Sequence, residues 1–249
     1  MSGDNYTDRA ALRERFYAGP DKLAARQRLW AGHTGESFIV AALDLAELTG
    51  DEAILDAGCG NGAYEAELRR RRHRGRVVAL DLSLGMRPSV VGDIANLPFP
   101  DQAFDVVLAM HMLYHVPSIP KAVAELRRVL KRGGTLLAAT NGHRHTQEIH
   151  ELVDRAAEAV AGRPRRRRQL SFTLENGAGQ LETSFATVRR IELPNSVPVT
   201  KDAVVDYIAS VEPENCGVEP AQHEAFLSEI RATASITEVT SHAGLFLAR

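Results

Sequence analysis

The sequence is sparing with several residue types at once. Its 249 residues include 2 cysteines, 1 tryptophan and only 6% aromatics, and 30 Lys plus Arg against 32 Asp plus Glu leave a formal charge of −2. Cys59 and Cys216 lack metal-ligand spacing and are too few for a disulfide framework, so a reducing, cytoplasmic compartment is expected and no metal site. Without a basic excess there is no global electrostatic reason to expect nucleic acid as partner. No apolar run approaches the roughly 18 residues of a membrane span, since Phe38-Ile39-Val40-Ala41-Ala42-Leu43 stops at Asp44. The first thirty residues scatter Asp4, Asp8, Glu14 and Asp21 among arginines with no apolar h-region, so no signal peptide is expected. What remains, 44% apolar and 25% charged, is ordinary globular composition, sufficient for one large α/β domain or two small ones.

Three stretches follow one another. Residues 1–50 are charged and helix-prone, broken at Gly19-Pro20 and Gly32. From 51 to 142, short β-branched runs alternate with helical patterns, which predicts βαβ units and a parallel sheet. The expected strands are Ala53–Ala57, Arg76–Leu80, Val90–Val91, Asp105–Ala109 and Thr135–Ala139. Lys121–Lys131 sets Ala122, Val123, Leu126, Val129 and Leu130 on one helical stripe, and Gly133-Gly134 should end that helix. Beyond 143, helices are expected at His145–Ala161, Asp202–Val211 and Ala221–Ala232, and strands at Phe185–Leu193 and Gly244–Ala248.

The sharpest local signal is Ile54-Leu55-Asp56-Ala57-Gly58-Cys59-Gly60-Asn61-Gly62, an apolar strand entering a glycine-rich turn and then a helix. Alternate glycines let the main chain approach a ligand closely and present N–H groups at a helix start. Asp81 follows at the end of the second strand, where a carboxylate can accept both hydroxyls of a ribose. Asp93, in Gly92-Asp93-Ile94-Ala95-Asn96-Leu97-Pro98-Phe99, can accept from an adenine amine, with Leu82 and Ile94 sandwiching the ring. A dinucleotide fold would want Gly-x-Gly-x-x-Gly, and Asp56 would sit poorly beside a pyrophosphate.

Taken together, the motif around Gly58 and Gly60, Asp81-Leu82-Ser83 with Gly85-Met86, the Asp93–Phe99 loop leading into Phe104-Asp105-Val106-Val107, and Leu126–Gly134 resemble class I S-adenosylmethionine-dependent methyltransferases. The resemblance is to their small-molecule, ubiquinone/menaquinone-biosynthesis-like branch. It implies a doubly wound, Rossmann-like sheet of seven strands, the last antiparallel. An N-terminal helical lid (1–50) would precede the S-adenosylmethionine-binding domain (51–249), with a cap insertion near 145–240. The donor would lie against Asp56, Gly58, Gly60, Asp81, Leu82, Asp93, Ile94 and Met110. Phe16–Arg26 resembles that branch's lid, which implies Tyr17 over the cofactor and Arg26 on its carboxylate. One departure is that only Arg87-Pro88-Ser89-Val90-Val91-Gly92 separates Met86 from Asp93, where the family has a full helix. Pro88 would break one, so a loop is expected.

The acceptor should sit beyond the carboxyl ends of strands four and five, at Met110–His115 and Thr140–His145. Imidazole suits proton transfer near neutral pH, which makes His111, His115 and His145 the candidate catalytic residues. The alternative is that they only pack or shape the site. The Asn/Asp-Pro-Pro-Tyr tetrapeptide of adenine and amide N-methyltransferases is missing, and His111-Met112-Leu113-Tyr114 takes its place. Two arginine runs stand out: Arg69–Arg72 with Arg74 reads as a solvated helix face. The run from Arg163 to Arg168 lies where the cap would be and admits an anionic substrate or an RNA backbone. The expectation is methyl transfer to a small-molecule acceptor, such as a secondary-metabolite intermediate. Two readings stay open: an RNA-modifying methyltransferase, marked by a basic track from Arg165–Arg168 to the pocket, and a donor-binding protein without transfer activity, its acceptor side plugged by Met112 and Tyr114.

Overall fold

The structure, a computed structural model, describes residues 7–16, 20–32, 34, 37–167 and 169–249. The N-terminal helices are α1 (Arg9–Ala11), α2 (Pro20–Arg28) and α3 (Phe38–Leu45). Asp8 caps α1, its Oδ1 accepting from the amides of Ala10 and Ala11. The repeating units that follow are β1 (Ile54–Ala57), α4 (Ala63–Arg70), β2 (Val77–Asp81), β3 (Val90–Val91), β4 (Phe104–Met110), α5 (Ile119–Val129) and β5 (Leu130–Asn141). Then come α6 (Gln147–Ala161), α7 (Gly177–Leu181), β6 (Val188–Glu192), β7 (Asn195–Pro198), α8 (Lys201–Ala209), α9 (His223–Thr233), β8 (Glu238–Ser241) and β9 (Ala243–Ala248).

Seven strands form one sheet in the order β3-β2-β1-β4-β5-β9-β6. The pairs through β1, β2, β3, β4 and β5 are parallel, and β9 runs antiparallel to both neighbours. The doubly wound sheet with a reversed last strand is therefore present. Strand alternation builds two cores from it. On one face Leu55, Ala57, Val107 and Ala109 pack against the α5 stripe of Ala122, Val123 and Leu126. On the other, Ile54, Val106 and Leu108 meet Ala42 and Leu43 of α3 and Tyr64 and Leu68 of α4.

Several boundaries differ from expectation for local reasons. α5 ends at Val129, not at the Gly133-Gly134 pair, because buried Leu130 already pairs with Phe104 as the start of β5. The ladder then resumes at Thr135 opposite Val106, and residues 131–134 bulge out between. Between β2 and β3 there is a single 3₁₀ turn, Leu84–Met86, as Pro88 demands. The segment over the sheet's carboxyl edge comes from two parts of the chain. α6 supplies one, residues 195–241 the other, and their shared core joins Ile149, Val153, Val204, Ile208, Phe226 and Ile230. Between these parts, Phe172, Leu174 and Leu181 return to the sheet's own core. The residues before 50 are divided likewise: Leu29, just past α2, is buried with the cap, whereas α3 packs under the sheet.

The reversed strand is pinned by aromatic packing. Phe246 is fully buried in β9, edge-on to Phe172 with ring centroids 5.7 Å apart. Replacing it leaves a cavity that the flanking strands cannot close. Phe246→Ala is expected to lower unfolding stability by about 3–5 kcal/mol, measured by urea denaturation.

Candidate functional site

A crevice of about 1500 Å³ opens along the carboxyl edge of the sheet. Its floor is the turn after β1. There Gly58 and Gly60 have φ of +81° and +53°, a region that disfavours side chains. A Cβ on Gly58 would also lie 2.8 Å from Met112 Cγ, so the turn could not carry a larger residue without displacing Met112. Asp81, at the end of β2, braces this turn: Oδ2 accepts from the Gly60 amide at 3.0 Å and Oδ1 from the Ser83 amide at 2.9 Å. Burial raises its pKa, and those amide bonds pull the other way.

Asp93 lies further along the same wall. Oδ1 accepts from the Ala95 amide at 2.9 Å, and Arg9 of α1 forms an ion pair with Oδ2. Its loop is clamped from α5. The Leu97 amide donates to Glu125 at 2.8 Å, while Arg128 donates to the carbonyls of Phe99 and Leu97 and to Glu125. Leu82 and Ile94 line the crevice beside Asp93, and Leu82 also packs on Ala11 and Leu12. Arg26 of α2 faces the crevice as well, with Nη2 donating to the Ser210 carbonyl at 3.2 Å. Tyr17 lies outside the described residues.

Asp56 does not line the crevice. Strand alternation turns it to the same side of β1 as Ile54, toward α4, where it is fully buried and neither carboxylate oxygen has a hydrogen-bond partner. Burial, with Glu65 and Asp81 nearby, raises its pKa to about 7.

At the ends of β4 and β5, Met110, His111, His115 and His145 all line the crevice. His111 adopts φ +55°, an uncommon region for a residue with a side chain. Its amide donates to the Ala139 carbonyl at 3.0 Å, and its ring lies 5.1 Å from that of Phe38. Burial lowers its pKa to about 4, while the nearby Asn141 side chain acts in the opposite direction. The His145 ring lies 5.3 Å from that of Trp30, tilted by 33°, and burial with three neighbouring histidines lowers its pKa to about 3. His145 Nδ1 and Asn141 Oδ1 are buried without a hydrogen-bond partner. His115 is half-buried on the turn after β4, its ring 4.6 Å from that of Tyr114. No cluster suited to a metal ion occurs among the described residues. Reading the sequence missed Arg9, Trp30, Phe38 and Asn141; only Asn141, at the end of the fifth strand, carried any signal of position.

A pH signature follows from Asp56. Its folded pKa is raised above the unfolded value, so its contribution to stability is full below about pH 4 and is lost as pH rises through about 7. The lowered histidines act in the opposite sense, losing stability as pH falls from about 6.5 toward 4 and below. Comparing Asp56→Asn with the wild type isolates the acid: the variant's relative Tm is expected to rise from about pH 4 and to level off above about pH 7.

Residues 55–138 match the family model described as a methyltransferase domain. A malonyl-[acyl-carrier protein] O-methyltransferase of Serratia marcescens is 38% identical over 39% of this chain and 42% of its own. A demethylmenaquinone methyltransferase of Thermobifida fusca is 32% identical over 60% of this chain and 64% of its own. In both cases the match spans less than two thirds of the relative's length. Among solved structures, a putative methyltransferase from an antibiotic biosynthesis pathway of Anabaena variabilis superposes with a TM-score of 0.63. It is 18% identical, over 85% of this chain and 96% of the other. Such distance supports the fold alone. The match to a methyltransferase domain runs from β1 through β5, and so takes in the glycine turn, Asp81 and Asp93.

Proposed function

We propose that the protein transfers a methyl group from S-adenosylmethionine to a small-molecule acceptor, an intermediate of secondary metabolism, in a cytoplasmic setting. The observation that carries this reading is the continuity of one crevice from the Asp81–Asp93 wall to the histidines at the ends of β4 and β5. Its volume of about 1500 Å³ exceeds the 300–1,000 Å³ or so of a pocket for one small ligand. There is room for a donor and an acceptor together. Met112 and Tyr114 belong to the wall and do not fill it, which speaks against a plugged, inactive scaffold. Both cysteines are buried free thiols, in keeping with a reducing compartment.

The residues present suit the donor. Asp81 keeps acceptor capacity beyond its two amide bonds, so it would hold the ribose hydroxyls. Asp93 would take the adenine amine between Leu82 and Ile94, and Arg26 the carboxylate. The partnerless atoms of His145 and Asn141 belong to crevice-lining residues, and a polar ligand satisfies such groups. When bound, S-adenosylmethionine supplies an electrophilic methyl on a sulfonium.

The chain's own residues would then align the acceptor and exclude water, which is most of what an in-line displacement requires. With conjugate acids near pH 4 and 3, His111 and His145 are neutral and weakly basic at physiological pH. Their part is to orient by hydrogen bonding. Where the acceptor atom must lose a proton, His115 is the residue proposed to take it. Arg163 is paired with Glu219, and Arg165 and Arg167 with Asp154. With these pairings, and a formal charge of −2 over the whole sequence, no continuous basic track for RNA is supported.

Calorimetric titration with S-adenosylhomocysteine tests the donor site. One site per chain is expected, and absence of binding would remove the proposal. Losing charge-assisted bonds worth about 1.5–3 kcal/mol, Asp81→Asn is expected to bind at least about ten-fold more weakly. Arg26→Ala is expected to weaken binding as well. Arg128→Ala, which frees the Asp93 loop without touching the crevice, should give a smaller loss.

A further inference from the structure

One end of the crevice, where the segment between α6 and α7 meets α6 and Asn215, has its own chemistry. Arg165, Arg166 and Arg167, from the segment between α6 and α7, line it together with His150. Arg165 is 9% exposed, and three of its nitrogens are engaged. Nε donates to Asp154 Oδ1 at 2.7 Å and Nη1 to the Asn215 carbonyl at 3.2 Å, while Nη2 lies 3.2 Å from His150 Nδ1. A guanidinium can only donate, so Nδ1 accepts and the neutral ring carries its proton on Nε2. Burial and the two arginines hold His150 down at about 4, which leaves it a neutral N–H donor at physiological pH.

Arg167 binds the second oxygen of the same carboxylate, with Nε 2.5 Å from Asp154 Oδ2. One acid therefore serves two guanidiniums. Arg166 is exposed and has no ion pair or hydrogen bond among the described residues. Glu214 also lines this end, and among the described residues Arg165 and Arg167 are committed to Asp154 whereas Arg166 has no ion-pair partner. The adjoining wall is apolar. Ile149 and Val153 lie one turn apart on α6 beside His150 and Asp154, and Ile208 and Val211 face the crevice from the end of α8 and just beyond.

Cations at one end and hydrocarbon along the side describe a complement. We infer that this end of the crevice binds the anionic group of an amphipathic acceptor, a carboxylate or a phosphate. The acceptor's apolar part lies along Ile149, Val153, Ile208 and Val211, and Arg166 sets the preference for a charged acceptor over a neutral one. Arg165 has a different part: it staples the 163–167 segment to α6 and to Asn215, and so positions Arg166 and Arg167. The inference deepens the proposed function and rests on its assignment of the crevice to donor and acceptor together.

The test is calorimetry on the full chain with octanoate, octyl phosphate and 1-octanol, with and without saturating S-adenosylhomocysteine. Both anions are expected to bind at least about ten-fold more tightly than octanol, with a gap that narrows as salt rises from about 0.05 to 0.5 M. The stronger of the two identifies carboxylate or phosphate as the native group. Arg166→Gln, at an exposed position, is expected to bring both anions close to octanol, and Arg167→Gln to do so in part. Arg165 is left intact because its loss would release the segment. Equal binding of octanol and the anions overturns the inference, as does unchanged anion affinity in Arg166→Gln. Tighter binding of a single-stranded RNA oligonucleotide than of either anion overturns it too and reassigns the arginines. If S-adenosylhomocysteine does not bind, the donor reading fails by itself, and the titrations without it still decide this one.

Discussion

Parallel pairing of β1 with both β2 and β4 obliges three stretches of chain to leave the sheet at the same edge. The strand order reverses direction at β1, which opens a crevice where the neighbouring connections diverge. Every feature of the candidate site depends on that constraint. The glycine turn after β1, Asp81 after β2 and the histidines after β4 and β5 come from distant parts of the sequence. They converge because parallel strands send their carboxyl ends one way.

The crevice is lined by groups of contrasting charge. Asp93 is paired with Arg9, His111 and His145 are held neutral, and Arg165, Arg166 and Arg167 enter from the segment after α6. Burial sets much of this pattern. It raises Asp81, lowers His111 and His145, and so keeps both rings uncharged where a hydrated ion would compete with close packing. The arginines keep their charge since a guanidinium does not deprotonate in proteins, and Asp154 offsets only part of it.

How much of this the sequence carried can be followed residue by residue. The strands of the sheet, α5 and Asp81 were legible because each is a local pattern: an apolar run, a 3.6-residue stripe, an acid at a strand end. Asp56 shows the limit. It belongs to the same motif as Gly58 and Gly60, yet alternation along β1 turns it under α4 and out of the crevice. Arg9 and Trp30 gave no signal, for a lone arginine or tryptophan acquires meaning only from what it meets. The division of the cap into two segments was equally hidden. Nothing about Phe172, Leu174 and Leu181 announces that they return to the sheet's core, since the apolar positions of a cap and of a core look alike.

The sequence by itself determined the alternation of elements, the glycine turn and the order of the acids, because these are short-range consequences of side-chain sterics and hydrophobic spacing. Tertiary structure alone decided which groups share a wall: Arg9 with Asp93, His145 with Trp30, Arg165 with His150 and Asn215. Such pairings join residues far apart in the chain or on separate elements. They are selected by the packing of whole faces against one another, a many-body condition that no local window of residues contains.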